Sequence, residues 1–285
     1  MTSFDKQYIE LCEKIINEGQ HLPNRTGMDS LKIFGHTMRF DLEKEFPILT
    51  SKFVPFKSAV LEMMWIYQKQ SNDVRWLQDR GIKIWNEWAC DENGDYNITG
   101  QKLGKKFAHT IGTAYGWIVK KYGLTQRLIN TLQTNPYDRR MVMSLWQDKH
   151  VPTATLPSCV WNSMWNVTNG RLNLIVSQRS CDVALGLPFN VSQYAMMCML
   201  MAQVSGLKPG ELLWVINDAH IYLNQLDGIK QQIEKFKEVG CPPAPKVWIN
   251  PDIKDFFKFD NSKELKDIRL EGYEYNMKIK MPVSV

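Results

Sequence analysis

Residues 4–18 carry apolar side chains at three- and four-residue spacing, the pattern of a helix with one buried face. Apolar and polar positions then alternate through "SLKIFGHTMRFDL", at Leu31, Ile33, Met38, Phe40 and Leu42. That period predicts a strand covered by core on one side, with Gly35 at the place expected for a bulge. Pro55 suits a first helical turn, and the apolar run behind it predicts a helix to about Gln70. The stretch 86–115 shows neither period and reads as loop. A helix near 124–134 stops at "TNP", and "RRMVMSLW" and "SCVWNSMWNV" read as strands. The "TNG" before "RLNLIVSQRS" signals a hairpin, because Asn-Gly favours the turn that matches strand twist. Residues 189–206 are apolar nearly all round and rich in Met, which predicts a wholly buried helix. A strand over 211–217, a helix over 221–238 and short strands complete the chain. Hairpins with segregated helices, and no regular βαβ repeat, indicate the α+β class. With no linker or internal repeat, residues 1–285 read as a single domain, a mixed or antiparallel sheet packed on helices.

Composition adds limits. The chain is 44% hydrophobic and 23% charged, enough to bury a large core. No run approaches the ~18 apolar residues of a membrane helix, and "MTSFDKQYIELCEK" lacks the layout of a signal peptide. The expectation is a cytoplasmic protein with no membrane partner. The net charge of +5 is modest and its lysines are interleaved with acids, which argues against DNA or RNA as ligand and leaves room for a small anion. The six cysteines show no C-x-x-C spacing and no nearby His, so no metal is expected and they should stay reduced.

Candidate chemistry begins with Glu62 in "KSAVLEMMWIYQ", whose helical neighbours are Ser58, Ala59, Trp65 and Ile66. Beside such a face its carboxyl would hold a proton to higher pH and suit proton transfer; the plainer alternative is a helix-edge acid in water. Arg25, Arg139, Arg140 and Arg179 either converge on a phosphate or form surface ion pairs. Arg139 and Arg140, adjacent on a strand, face opposite sides, so one serves another surface or a partner chain. His220, in "VINDAHIYLN", is placed where a strand hands over to a helix. Cys159, in "LPSCVWNSMW", is a small core residue or a nucleophile, and the second role needs cations nearby. Trp85 and Trp88 read as core. Singly, these signals leave the chemistry open.

Taken in order, "NRT", "IFGHTMRF", "FPILTSK", "LEMMWIY", "IWNEWA", "NPYDRRMVMSLW", "LPSC", "DAHIY" and above all "QRSCDVALGLPFNVSQYAMM" change this. Over almost its whole length the chain resembles the folate-dependent thymidylate synthase family. The resemblance implies dUMP as substrate, 5,10-methylenetetrahydrofolate as cosubstrate, and a homodimer formed through a sheet face. It implies that Cys159 attacks C6 of the uracil, a covalent catalysis that makes C5 nucleophilic. Glu62 would handle protons around O4, Tyr115 would help remove the C5 proton, and Asn190 would read N3–H and O4. Arg25, Gln178, Arg179 and Ser180 would bind the nucleotide, Arg139 and Arg140 would come from the other subunit, and His220 and Tyr222 would hold the deoxyribose hydroxyl. Arg179 would also favour the Cys159 thiolate. Lys52, Trp85, Leu156, Asp182, Gly186 and Phe189 would line the folate site, with Asp182 also serving the nucleotide and the chemistry, and Val285 would close over it.

Departures from the family's commoner pattern are Val160 after the cysteine, Asp29 and Ser30, Phe53, the segment "AYGWIVKKYG" and the lack of a Gly-Gly pair before Asp218. A deoxyuridylate hydroxymethylase, in which water replaces hydride, is the alternative. Trp85 and the "PVSV" ending weigh towards the synthase, since both help to exclude water.

Overall fold

Thr2 starts the first helix by accepting the Asp5 N–H on its hydroxyl at 2.9 Å. Helix Ser3–Glu18 then buries Phe4, Tyr8, Leu11, Cys12 and Ile15 on one face, as its spacing predicts. The structure, a computed structural model, describes residues 1–284. Val285, the residue expected to close the site, lies outside the described residues.

The main sheet runs in the order Gln20–Leu22, Ser30–Asp41, Lys208–Tyr222, Arg171–Gln178, Val160–Thr168, Val142–Ser144. The short strand Cys181–Asp182 joins Lys208–Tyr222 beyond the end of Arg171–Gln178. Those two run parallel to Lys208–Tyr222, and the other pairings are antiparallel. The architecture is thus a mixed α+β sheet packed on helices. Its inner face carries Leu172, Leu174, Val176, Leu212, Trp214 and Ile216, none more than 1% exposed. Across that face lies helix Gly186–Val204, sandwiched against helix Phe56–Met63. Its all-round apolar sequence follows from being covered on both sides.

The opposite face of the sheet is less covered. Along one row, Arg39 pairs with Leu213, Leu213 with Ile175, Ile175 with Met164 and Met164 with Val142. Met164 is 38% exposed and Val142 37%, so among the described residues nothing covers the apolar part of this row at that end.

The predicted hairpin forms: Asn169 (φ +52°) and Gly170 (φ +71°) both sit in the left-handed region, joining Thr168 to Arg171. A Cβ at Gly170 would touch nothing within 4 Å, so the cost of adding one is conformational. Gly170→Val should destabilise the protein by about 1–2 kcal/mol, read as a lower urea midpoint at unchanged slope.

Several boundaries differ from expectation. Gly35 has φ +70°, yet Phe34 faces Asp218 and His36 faces Ile216, so the register is kept and no bulge is inserted. The helix after Pro55 is α-helical only to Met63 and widens into a π turn over Met64–Gln68. "RRMVMSLW" is strand only at Val142–Ser144; Arg139 and Arg140 lie in the preceding turn, where strand alternation does not apply. The strand expected at 211–217 extends over Lys208–Tyr222 because Ser30–Asp41 pairs with it as far as Tyr222 and Cys181–Asp182 supports its other edge at Ala219 and His220. His220 therefore lies within a strand, and the next helix begins at Leu226 after a 3₁₀ turn, not at residue 221.

Candidate active site

The strand ends meet at a cavity of about 690 Å³. Of the residues expected to bind or react, Arg25, Leu156, Cys159, Arg179, Ser180, His220 and Tyr222 line it. Of the others, Glu62, Tyr115, Asp182, Gln178, Asn190, Lys52 and Trp85 are tied to these residues or to one another by the contacts described below, whereas Arg139 and Arg140 are not among its lining.

Cys159 is the last residue before strand Val160–Thr168 and is half-buried. Its N–H donates to the Tyr115 hydroxyl at 3.0 Å, and its carbonyl accepts the Arg179 N–H at 2.9 Å. The Arg179 guanidinium donates to the carbonyls of Pro157 (2.7 Å) and Ser158 (3.1 Å), and lies 5.4 Å from the centre of the Trp146 ring. The cation is therefore fixed to the loop that carries the cysteine. Burial pushes the Cys159 thiol up; Arg179, Arg25 and the Tyr115 hydroxyl pull it down but do not win. Arg179 thus acts in the direction expected, while the resting group is a thiol. Cys181, fully buried and pushed further up, is inert by comparison.

Arg25 reaches the cavity from a loop ordered by Asn24, whose side chain accepts the Thr26 N–H (2.9 Å) and donates to the Met28 carbonyl (2.6 Å). Across from it, His220 Nδ1 lies 2.8 Å from Asp218 Oδ1, and Lys32 Nζ donates to Asp218 Oδ2 at 2.8 Å. His220 and Lys32 outweigh burial and hold the Asp218 carboxyl below its ordinary value. An ionised Asp218 keeps the proton on Nδ1, leaving Nε2 as an acceptor. Lys32 and Asp218 were not singled out from sequence. The available signal was strand register, which pairs Lys32 with His220.

Glu62 is buried at 5% exposure. The Trp85 indole N–H donates to one carboxylate oxygen and the Gln193 amide to the other. Burial raises its pKa to about 7, against the lowering effect of these two donors. Trp85 packs edge-on against Tyr115 with ring centres 5.2 Å apart. Glu62, Trp85, Tyr115 and Cys159 are thus linked by direct contacts. Tyr115 itself has φ +45°, rare for a side chain of its size and typical of a residue held in place for function.

Beyond the strand Cys181–Asp182, Asp182 Oδ1 accepts the N–H groups of Ala184 (2.9 Å) and Leu185 (3.0 Å). Gly186, Phe189 and Asn190 follow at helical spacing and form the half-exposed side of an otherwise buried helix start. Gln178 donates to Asn190 Oδ1 at 3.3 Å and is itself fixed by the Trp214 indole at 3.0 Å. Lys52 turns inward: its ammonium donates to the Ala184 carbonyl and, at 3.3 Å, to the Tyr8 hydroxyl, and burial lowers its pKa to about 8. It braces the Asp182–Gly186 segment from behind. Arg139 and Arg140 lie away from the cavity, Arg140 paired with Asp138 at 2.7 Å. Among the described residues, no group of three or more His, Cys, Asp or Glu is arranged to hold a metal, and no helix is long and apolar enough to cross a membrane.

A cysteine beside a fixed cation, sharing one cavity with a second arginine, a histidine and a tyrosine, makes a site suited to an anionic small molecule. The family model described as "Thymidylate synthase" matches residues 6–285. A curated thymidylate synthase from Clostridium beijerinckii is 46% identical over 285 residues, covering 100% of both chains. The solved structure of thermostable thymidylate synthase A from Bacillus subtilis superposes with a TM-score of 0.84 at 35% identity, covering 99% of each chain. The chain belongs to the thymidylate synthase family, and is by that membership a methyltransferase. These relatives carry the synthase name, which sets the hydroxymethylase alternative aside.

Proposed function

We propose that the chain, acting as one catalytic unit over residues 1–285, methylates dUMP to dTMP with 5,10-methylenetetrahydrofolate and releases dihydrofolate. The observation that carries this reading is the placing of Cys159: of the six cysteines, it alone opens on the cavity, with Arg179 fixed beside it.

In this reading Cys159 attacks C6 of the uracil as its proton departs, and C5 becomes the nucleophile. Arg25, Arg179 and Ser180 bind the phosphate, and that grip aligns the ring over the sulfur. His220 Nε2 and Tyr222 take the deoxyribose hydroxyl. Asn190, orientated through Gln178, reads the edge of the uracil. Glu62, with a pKa of about 7, is poised to give and take a proton at neutral pH. Tyr115, whose hydroxyl sits on the Cys159 N–H, assists removal of the C5 proton.

The folate supplies the one-carbon unit and the reducing hydride. A Cβ at Gly186 would stand 3.7 Å from both the Asp182 Cβ and the Asn190 side-chain oxygen, so its absence leaves an open cradle between them. In this reading Phe189, Leu156 and Trp85 supply the apolar surface for the folate's flat heteroaromatic group. Asp182 offers it a carboxylate, and Lys52 steadies the segment.

The partner is a second copy of the chain. Support comes from the apolar row of Ile175, Met164 and Val142 on the uncovered sheet face, beside the turn that carries Arg139 and Arg140. From there the two arginines would reach the other subunit's phosphate site. Six free cysteines suit the reducing cytoplasm.

Incubation with dUMP and methylenetetrahydrofolate tests the reaction. Dihydrofolate and dTMP are the expected products; tetrahydrofolate with 5-hydroxymethyl-dUMP would overturn the reading in favour of the hydroxymethylase.

A further inference from the structure

Gln225 is 1% exposed and both its side-chain oxygen and nitrogen are hydrogen-bonded, though no motif in the sequence marks it. Its Oε1 accepts the Tyr222 N–H at 3.2 Å. Its Nε2 donates to Asp182 Oδ2 at 3.1 Å and to the Pro282 carbonyl at 3.1 Å. Asp182 and Pro282 both present acceptors and cannot bond each other. A neutral group with two N–H protons joins them, and a side-chain amide supplies both from one nitrogen. Burial leaves little room for water to substitute. The bond from Tyr222 fixes which way the amide faces, because the flipped amide would set N–H against N–H.

The segment it holds is seated by packing as well. Met281 is 7% exposed, and Gly228, in the first turn of helix Leu226–Val239, leaves room for it. A Cβ at Gly228 would come within 3.0 Å of the Met281 methyl and 3.1 Å of an Ile279 methyl. Packing thus brings the segment to the helix, and Gln225 ties it to one particular carboxylate.

We propose that Gln225 is a positioning residue of the reaction, its amide clamping the segment around Pro282 to Asp182 so that both borders of the folate site are set together. The folate role of Asp182, and that of the segment leading to Val285, rest on the function proposed above; the clamp itself does not. Gln225→Met keeps length and removes every polar contact, and Gln225→Glu keeps shape and removes both donors.

Hydrogen exchange at the amides from Ile279 to Ser284, measured in the ligand-free protein, should quicken about tenfold in either variant. Exchange in strand Lys208–Tyr222 should stay within about twofold. Asp182→Asn combined with Gln225→Met should loosen the segment no more than Gln225→Met alone, because both act through one contact. In turnover, KM for methylenetetrahydrofolate should rise about tenfold while the Kd for dUMP stays within about twofold. Unchanged exchange in both single variants, or additive effects in the double variant, would sink the clamp. If Gln225→Met does not fold, Gln225→Glu with Asp182→Asn carries the same test. If the wild type makes no dTMP, the function reading falls, while the exchange data still decide the clamp.

Discussion

Cys159→Ala is expected to lower kcat by at least about four orders of magnitude, while the protein still binds dUMP within a few-fold of its original affinity. The asymmetry follows from the cavity. Arg25, Arg179, His220 and Tyr222 line it, and in the proposed reading they hold the phosphate and sugar while the sulfur contributes little to ground-state binding. Without the thiol there is no covalent route, and uncatalysed attack on the uracil is too slow to replace it. Turnover is followed through dihydrofolate absorbance and binding by calorimetry, with Cys241→Ala as a control that should keep full activity. Retained turnover in Cys159→Ala would reject the covalent mechanism; loss of dUMP binding would reject the assignment of the gripping residues. Because burial outweighs the neighbouring cations and keeps the group a thiol at rest, alkylation of Cys159 should quicken as pH rises above neutrality.

Glu62→Gln should reduce kcat by about two to three orders of magnitude and at the same time alter the pH dependence of stability. The folded-state pKa of Glu62 is about 7, against 4.5 for the free side chain. Between these values the folded protein holds a proton that the unfolded chain has released. Stability therefore falls as pH rises through this window, by about 3 kcal/mol in all, and stays at the lower value above it. Glutamine cannot ionise, and Gln193 can turn its amide to meet the new NH₂ group. The variant should lose this downward slope between pH 5 and 8 and melt higher than wild type at pH 8, although it is nearly inactive. Parallel melting curves against pH for the two proteins would show that Glu62 does not titrate in this range.

Elements whose pattern reports one kind of burial were legible. Helix Ser3–Glu18, the Asn169–Gly170 hairpin and the largely buried helix Gly186–Val204 all follow from period or turn chemistry. Legibility failed where a strand carries polar groups for the site. Asp218, His220 and Tyr222 alternate with the buried Ala219 and Ile221 as strand residues should, but three polar side chains read as the end of a strand. The same effect hid Lys32, which reaches Asp218 across strands from 186 positions away. Cys159 shows the limit most plainly. Tyr115 and Arg179, which bracket its backbone, are distant in sequence, and nothing local to "LPSC" signals either. Only the family resemblance of the segments taken together groups these residues in sequence, and the register of the sheet accounts for the nearness of those on strands Ser30–Asp41, Cys181–Asp182 and Lys208–Tyr222. Lys52 was placed in the folate site by that resemblance; its inward turn is set by Tyr8 and Ala184, contacts that no motif reveals.

The pairing of Asp182 directly with His220, on the short strand beside Lys208–Tyr222, bears on how reliably two reactants can meet. In the proposed reading one residue serves the folate side and the other the sugar, and their backbones are neighbours in one ladder. When the sheet twists or breathes, both move with it, so the error in aligning the substrates stays smaller than the motion of the domain around them. Thermal agitation elsewhere in the molecule is a common-mode disturbance, cancelled at the place where the new carbon–carbon bond must form.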